Sequence, residues 1–275
     1  MSVEPEQRYL YSGHAVGASA QFHRLDDVEH LNHRIPALGA SVLPVTGGLA
    51  TAHAADYSYV VDQPRHRTLL SVRRVDSSAE GREYADRFET EVGAEVESIH
   101  VVEKLHVDYI KFHMLSTLKK GQAEPTVSTR GNEIEGMRLG RVKVKLVLDE
   151  EPLGASGSKA QLAAFYKSKK PAYRLAHSGR FRTPPDTDEL ACPHGIYTYS
   201  LVREIKLEGP EEEQHSMKVE GYSIRWEGFG RIVLGEVVLR GNSRQVTLVR
   251  LAMGSSAGGP GSMGCGQTNG QLGSS

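Results

Sequence analysis

Between Phe88 and Ser98 every second residue is apolar or small: Phe88, Thr90, Val92, Ala94, Val96 and Ser98. The positions between them are Glu89, Glu91, Gly93, Glu95 and Glu97. Extended chain sends successive side chains to opposite faces, so this period of two predicts a strand with one apolar and one acidic face. Ile99 to Leu118 follows without proline or glycine and is rich in Val, Ile, Leu, Tyr and Phe. It is too long for one ordinary strand and predicts two strands or one bent strand. Val142, Val144, Leu146 and Leu148 alternate with Arg141, Lys143 and Lys145, which predicts a strand with a basic outer face. The acidic and basic faces are expected to meet across a sheet and help set its register.

The last third continues the pattern. Tyr197, Tyr199, Leu201, Ile205 and Leu207 share one parity. Met217–Trp226, Arg231–Arg240 and Gln245–Met253 read as three further strands, separated by short links containing Gly228, Gly230 and Gly241. Links this short make sequential strands antiparallel neighbours. The fold class is therefore mainly β: antiparallel sandwich- or barrel-like sheets with one or two short helices. One helix is expected after Ser158, where Ser158 and Gln161 have capping-box spacing, Leu162, Phe165 and Tyr166 form a stripe, and Pro171 stops it. A second is expected over Asp27–His33, with Asp26 as N-cap and Pro36 beyond it.

These elements suggest a β-rich globular region over 1–253. Its two possible lobes, about 1–150 and 190–253, are joined by a helix-containing connection over 151–190. Residues 254–275 are so rich in glycine and serine that they read as a flexible tail, or as an arm that orders on a neighbouring subunit. The segments Gly17-Ala18-Ser19 and Gly39-Ala40-Ser41 are built from small residues, which permit close approach of a neighbouring sheet. Ile134-Glu135-Gly136-Met137 and Trp226-Glu227-Gly228-Phe229 echo one another, each ahead of a Val/Leu-rich strand.

Charge narrows the functional classes. With 33 basic and 34 acidic residues the net charge is −1, so there is no basic excess of the kind that binds nucleic acid. No apolar run reaches the length of a membrane helix, and MSVEPEQRYLYSG lacks the pattern of a secretory signal. Cys192 and Cys265 lie far apart in loop-like sequence and read as free thiols. Together these features predict a cytoplasmic protein without nucleic-acid or membrane partners.

Candidate chemistry centres on histidine, of which there are twelve. Asp26, His30 and His33 fall four and three residues apart and would share a helical face, with His23 just ahead. Imidazoles and a carboxylate are donors for a divalent metal, so His23, Asp26, His30 and His33 are the candidate ligands. His100 and His106 share a parity in the β run but His113 has the other, so one surface holds all three only if a bulge intervenes. Cys192-Pro193-His194 is a thiol–imidazole pair with no evident orienting residue. Tyr197, Tyr199, Trp226 and Phe229 could line a ligand pocket between sheets, although aromatics commonly fill β cores. The resulting expectation is a non-enzymatic structural or assembly protein that forms a homo-oligomer through strand edges and the Gly-rich arm. The alternative is a metal-binding protein or metal-dependent enzyme using the N-terminal histidines.

Overall fold

The computed structural model describes residues 8–22, 33–62, 66–149, 196–240, 243–253, 259–268 and 270–272. The expected β class is what these residues form: two antiparallel sheets lie face to face over one contiguous apolar core. The first contains β4 (Gly48–Val61), β5 (Arg67–Glu83), β6 (Arg87–Val101), β7 (Leu105–Lys119), β8 (Thr126–Ser128), β9 (Glu133–Glu135), β10 (Arg138–Leu139), β11 (Val142–Leu148) and β13 (Val202–Glu208). The second contains β2 (Gly13–Phe22), β3 (His33–Val42), β12 (Ile196–Ser200), β14 (Met217–Glu220), β15 (Ser223–Trp226), β16 (Gly230–Arg240), β17 (Ser243–Met253) and β18 (Gly259–Thr268). A small ribbon pairs β1 (Tyr9–Leu10) with β19 (Gln271–Leu272). Among the described residues the helical element is one turn, α1 (Glu211–Gln214). No helix there is long and apolar enough to cross a membrane.

The even-numbered face of β6 is buried as its alternation predicts, from Phe88 to Val96, and packs with Val75, Ile110, Phe112 and Met114. Ile99–Leu118 is two strands, the end of β6 and most of β7. The turn between them carries Val102 and Glu103 at φ 51° and 54°, with Lys104 N–H donating to Val101 C=O at 3.1 Å. Positive φ at both central positions matches the type I′ hairpin, whose twist suits the flanking strands.

The glycine-rich C-terminal segment departs from the expectation of a free tail. Residues 259–268 are β18, paired with β17 on one side and β2 on the other. The reason is steric. A methyl group on Gly266 would lie 2.4 Å from Phe112 Cε1, and one on Gly264 would lie 2.6 Å from Ile110 Cγ2. Glycine here is a hole for side chains of the opposite sheet. Cys265, expected in a loop, therefore sits within a strand. The two Gly-Ala-Ser segments serve the same purpose on adjacent strands β2 and β3: methyl groups at Gly17 and Gly39 would fall 2.0 and 2.3 Å from Val75 Cγ1.

Other expectations change in detail. Met217–Trp226 is a hairpin of β14 and β15, turning at Gly221 (φ 60°) and Tyr222. The alternating run 197–207 divides between sheets, since β12 pairs β16 while β13 pairs β11. Ser200 Oγ stabilises the crossing by donating to Leu234 C=O at 2.7 Å and accepting from Val202 N–H at 2.9 Å. The acidic face of β6 does not meet the basic face of β11, because β7 and β10 stand between them. Lys111 of β7 approaches Glu95 at 3.7 Å, Arg87 holds Glu89 at 2.7 Å, and Lys145 of β11 turns to Glu208 of β13 at 2.8 Å. The helix expected after Ser158 lies outside the described residues.

Both sheets carry a crease. In the first, the registers align Asp56, Arg73, Ser98, Asp108 and Gly136 in one row, and Asp56, Ser98 and Gly136 have φ of 49°, 50° and 62°. In the second, Gly235, Leu248, Gly264, Gly17 and Gly39 form a row, with Gly235, Gly264 and Gly39 at φ 62°, 57° and 55°. A left-handed residue on every other strand breaks the pleat and exchanges which parity faces inward. Burial on β6 accordingly passes from Val92, Ala94 and Val96 to Ile99 and Val101. On β7 it passes from Leu105 and Val107 to Ile110, Phe112 and Met114. Gly17, Gly39 and Gly264 of the second sheet's row rest on Val75 and Ile110, each two residues along from the first sheet's crease.

Gly17 is the cleanest probe of this nesting, since its backbone is not left-handed and the three atoms nearest an added methyl all belong to Val75. We expect Gly17→Ala to cost about 1–3 kcal/mol by overpacking. Val75→Ala in the same chain should recover part of that loss, measured as a double-mutant cycle in urea denaturation. Additive costs would contradict the packing.

Candidate functional site

The crease brings chemistry together on the outer face of the first sheet. His100 and His106 are directly opposed across the β6–β7 hairpin. Their Nδ1 atoms are 3.1 Å apart and their ring centroids 4.0 Å apart. His106 Nε2 is hydrogen-bonded to Asp108 Oδ1, and Arg138 Nη2 donates to the same oxygen at 3.1 Å. Gly136 closes over this carboxylate: a methyl group there would lie 2.5 Å from Asp108 Cβ. A larger residue at 136 would therefore push Asp108 out of reach.

The hydrogen-bond roles follow from the partners. An ionised carboxylate only accepts, so His106 donates through Nε2–H and leaves its Nδ1 as an acceptor. His100 then donates through Nδ1–H. With both rings neutral, one proton between the two Nδ1 atoms satisfies the contact. The arrangement is a carboxylate–imidazole–imidazole chain, able to relay a proton or to present ring nitrogens to a cation. Burial, followed by the charges of His106 and Arg138, lowers the pKa of His100, with Asp108 opposing. The hydrogen bond from His106, with Arg138 nearby, holds the Asp108 carboxyl below its ordinary range.

His113 lies on the same face despite its opposite parity, since the break at Asp108 supplies the bulge such sharing requires. Its Nε2 is 3.0 Å from Glu91 Oε1 and its Nδ1 3.0 Å from Arg130 C=O. Further along, His53 Nδ1 is 2.8 Å from Asp76 Oδ1, and Arg74 Nε donates to Asp76 at 2.6 Å. The hydrogen bond with His53, and then that from Arg74, lower the Asp76 carboxyl. Gly93 leaves a shallow trough of about 610 Å³ between these groups, lined by His53, Asp76, Ser78, Lys111 and His113 among others. The outer face is thus a lattice of imidazoles, carboxylates and cations whose charges are locally balanced.

Of the proposed metal ligands, His23, Asp26 and His30 lie outside the described residues. His33, expected at the end of a helix, is instead the first residue of β3. Its Nδ1 is 2.7 Å from Tyr59 Oη, and the two rings meet edge to face at 5.7 Å. Among the described residues no group of three or more His, Cys, Asp and Glu is placed to hold a metal ion. Cys192 and His194 lie outside the described residues. Cys265 has its thiol pKa raised by burial, with Ser262 Oγ 3.8 Å away. Tyr199 and Phe229 are buried in the core, Trp226 packs on Phe229 at 5.2 Å, and Lys104 Nζ stands 5.6 Å over the Trp226 ring. Sequence reasoning gave no site role to Asp108, Arg138 or Gly136. Only the pairing of His100 with His106 and the left-handed glycine mark them.

Two creased antiparallel sheets nested through glycine, with an ion-paired outer face, define the structural class. The chain belongs to the family described as Domain of unknown function (DUF8256), which matches residues 9–240. No curated protein and no solved structure matches the chain.

The lowered pKa of His100 has a signed consequence. As pH falls, the unfolded chain binds this proton at the ordinary value of 6.5, and the folded chain binds it only lower. Stability from this group is complete above 6.5 and declines as pH falls through the window beneath it. Thermal melts across pH 5–8 should slope less steeply in His100→Gln than in the parent. The His100 imidazole should titrate below 6.5 by NMR, and a midpoint at or above 6.5 would contradict the geometry.

Proposed function

We propose that the chain is a structural β protein, not an enzyme, and that it self-associates by adding strand to strand along the open edge of β4. The supporting observation is how differently the strands that end the two sheets, β13, β4, β14 and β3, are protected. β13 alternates Arg203, Glu204, Lys206 and Glu208, and charge discourages edge pairing. β3 carries Arg34 and Pro36, and β14 has four residues. β4 has fourteen residues, pairs with β5 alone among the described residues, and contains neither lysine, arginine nor proline.

Its exposed side chains add to the argument. Leu49 and Val60 stand 62% and 41% exposed near the two ends of the strand. Their numbers differ in parity, but the left-handed turn at Asp56 puts both on the outer face. Antiparallel pairing of two copies about the middle of β4 brings Leu49 of each beside Val60 of the other. Such a two-fold contact is self-complementary and closes into a dimer. β18, by contrast, is already paired on both sides, so it would have to leave its own sheet to act as an arm. β4 needs no such step.

Light scattering coupled to size-exclusion chromatography tests the reading on the full chain. We expect a mass of at least twice the monomer, falling to the monomer in Leu49→Lys/Val60→Lys. Both positions are exposed, so the unfolding midpoint should hardly move. A monomeric parent, or an oligomer indifferent to both lysines, would refute the proposal.

A further inference from the structure

The pair of imidazoles across the β6–β7 hairpin carries an inference independent of self-association. We propose that His100 and His106 bind a first-row divalent cation of the zinc type through their two Nδ1 atoms, with Asp108 as the outer partner of His106.

The geometry is close to what the ion requires. Zinc–imidazole bonds of about 2.0–2.1 Å at a tetrahedral angle place two ligand nitrogens ~3.3 Å apart. The two Nδ1 atoms are already 3.1 Å apart on strands whose register holds them opposite one another. Little movement is needed to admit a cation between them. The proton count also balances. His106 keeps its proton on Nε2, facing Asp108, and offers an Nδ1 lone pair. His100 shifts its proton from Nδ1 to Nε2, so both rings stay neutral and no proton is released.

Asp108 has the position of an outer-shell carboxylate. A metal-bound histidine usually donates its second ring N–H to such a group, which fixes the tautomer and raises ligand basicity. Arg138 and Gly136 hold Asp108 in place. Arg138 also brings a positive charge that opposes a cation, so the affinity must come from the two imidazole lone pairs and not from attraction to Asp108. With two protein ligands the remaining positions belong to water, so binding should be readily reversible and should follow the usual preference for Cu²⁺ over Zn²⁺ and Ni²⁺.

The test uses the full chain and the metal ion alone. Titration calorimetry with Zn²⁺ should show saturable binding near one ion per chain at pH 7.5. His100→Gln/His106→Gln should remove that phase, and Asp108→Asn should weaken it roughly 10-fold or more. Cu²⁺ loaded at one equivalent should give an electron paramagnetic resonance spectrum with coupling to two imidazole nitrogens, absent from the double variant. Zinc should raise the melting temperature of the parent but not of the double variant, whose metal-free melt reports whether it remains folded. Failure of the parent to bind, or equal binding by a folded double variant, would overturn the proposal. The second result would place the metal elsewhere, the N-terminal histidines included. Neither outcome bears on pairing through β4, whose readout is mass.

Discussion

The structure depends on how closely two sheets can approach. Side chains normally hold packed sheets about 10 Å apart. Here Gly17, Gly39, Gly264 and Gly266 of the second sheet provide no side chain where Val75, Ile110 and Phe112 of the first press in. Apolar contact is gained by removing atoms from one partner, and the interior stays dense because the other partner fills the space. The glycines thus work as a group. They come from opposite ends of the chain, and neither end alone would form the receiving surface.

The paired creases follow from the same fit. If only one sheet bent, the two would part on one side of the bend. Left-handed residues therefore recur on alternate strands of both sheets, at Asp56, Ser98 and Gly136 in one and at Gly39, Gly235 and Gly264 in the other. Glycine takes this conformation with little strain, and aspartate tolerates it better than most residues. The same break decides which side chains reach solvent. Without it, His113 would oppose His100 and His106, and Asp108 would not lie beside the imidazole it orients. Packing and candidate chemistry thus share one geometric cause.

The outer face adds little to stability pair by pair, because exposed ion pairs contribute about 1 kcal/mol or less. Its value lies in register and solubility. Carboxylates of β6 are matched by cations on both neighbouring strands, so a slip of one residue would set like charges together and turn the apolar face outward. The strands that end the sheets are treated less evenly. β13 and β3 carry cations or proline and β14 is short, whereas β4 has no lysine, arginine or proline. The unequal protection of the edges is what links the fold to self-association.

Much of the architecture was legible in the residue pattern. The alternation at 88–98 and 142–148 identified strands and their buried faces, because burial of one side of a pleat is a local property, and the apolar runs 231–240 and 245–253 identified strands. The small-residue segments at 17–19 and 39–41 pointed to close approach for the same reason. What remained hidden is non-local. The glycine run at 259–268 reads as a tail until Ile110 and Phe112 are seen to fill it, and the alternating run 197–207 gives no sign that it changes sheets at Leu201. The trio of His106, Asp108 and Arg138 arises only where a left-handed row interrupts three neighbouring strands at one level. The sequence by itself determined that strands form and which faces are greasy. The tertiary structure alone decided their order, the parity shift and the meeting of the histidines, since each depends on contacts between residues far apart in the chain.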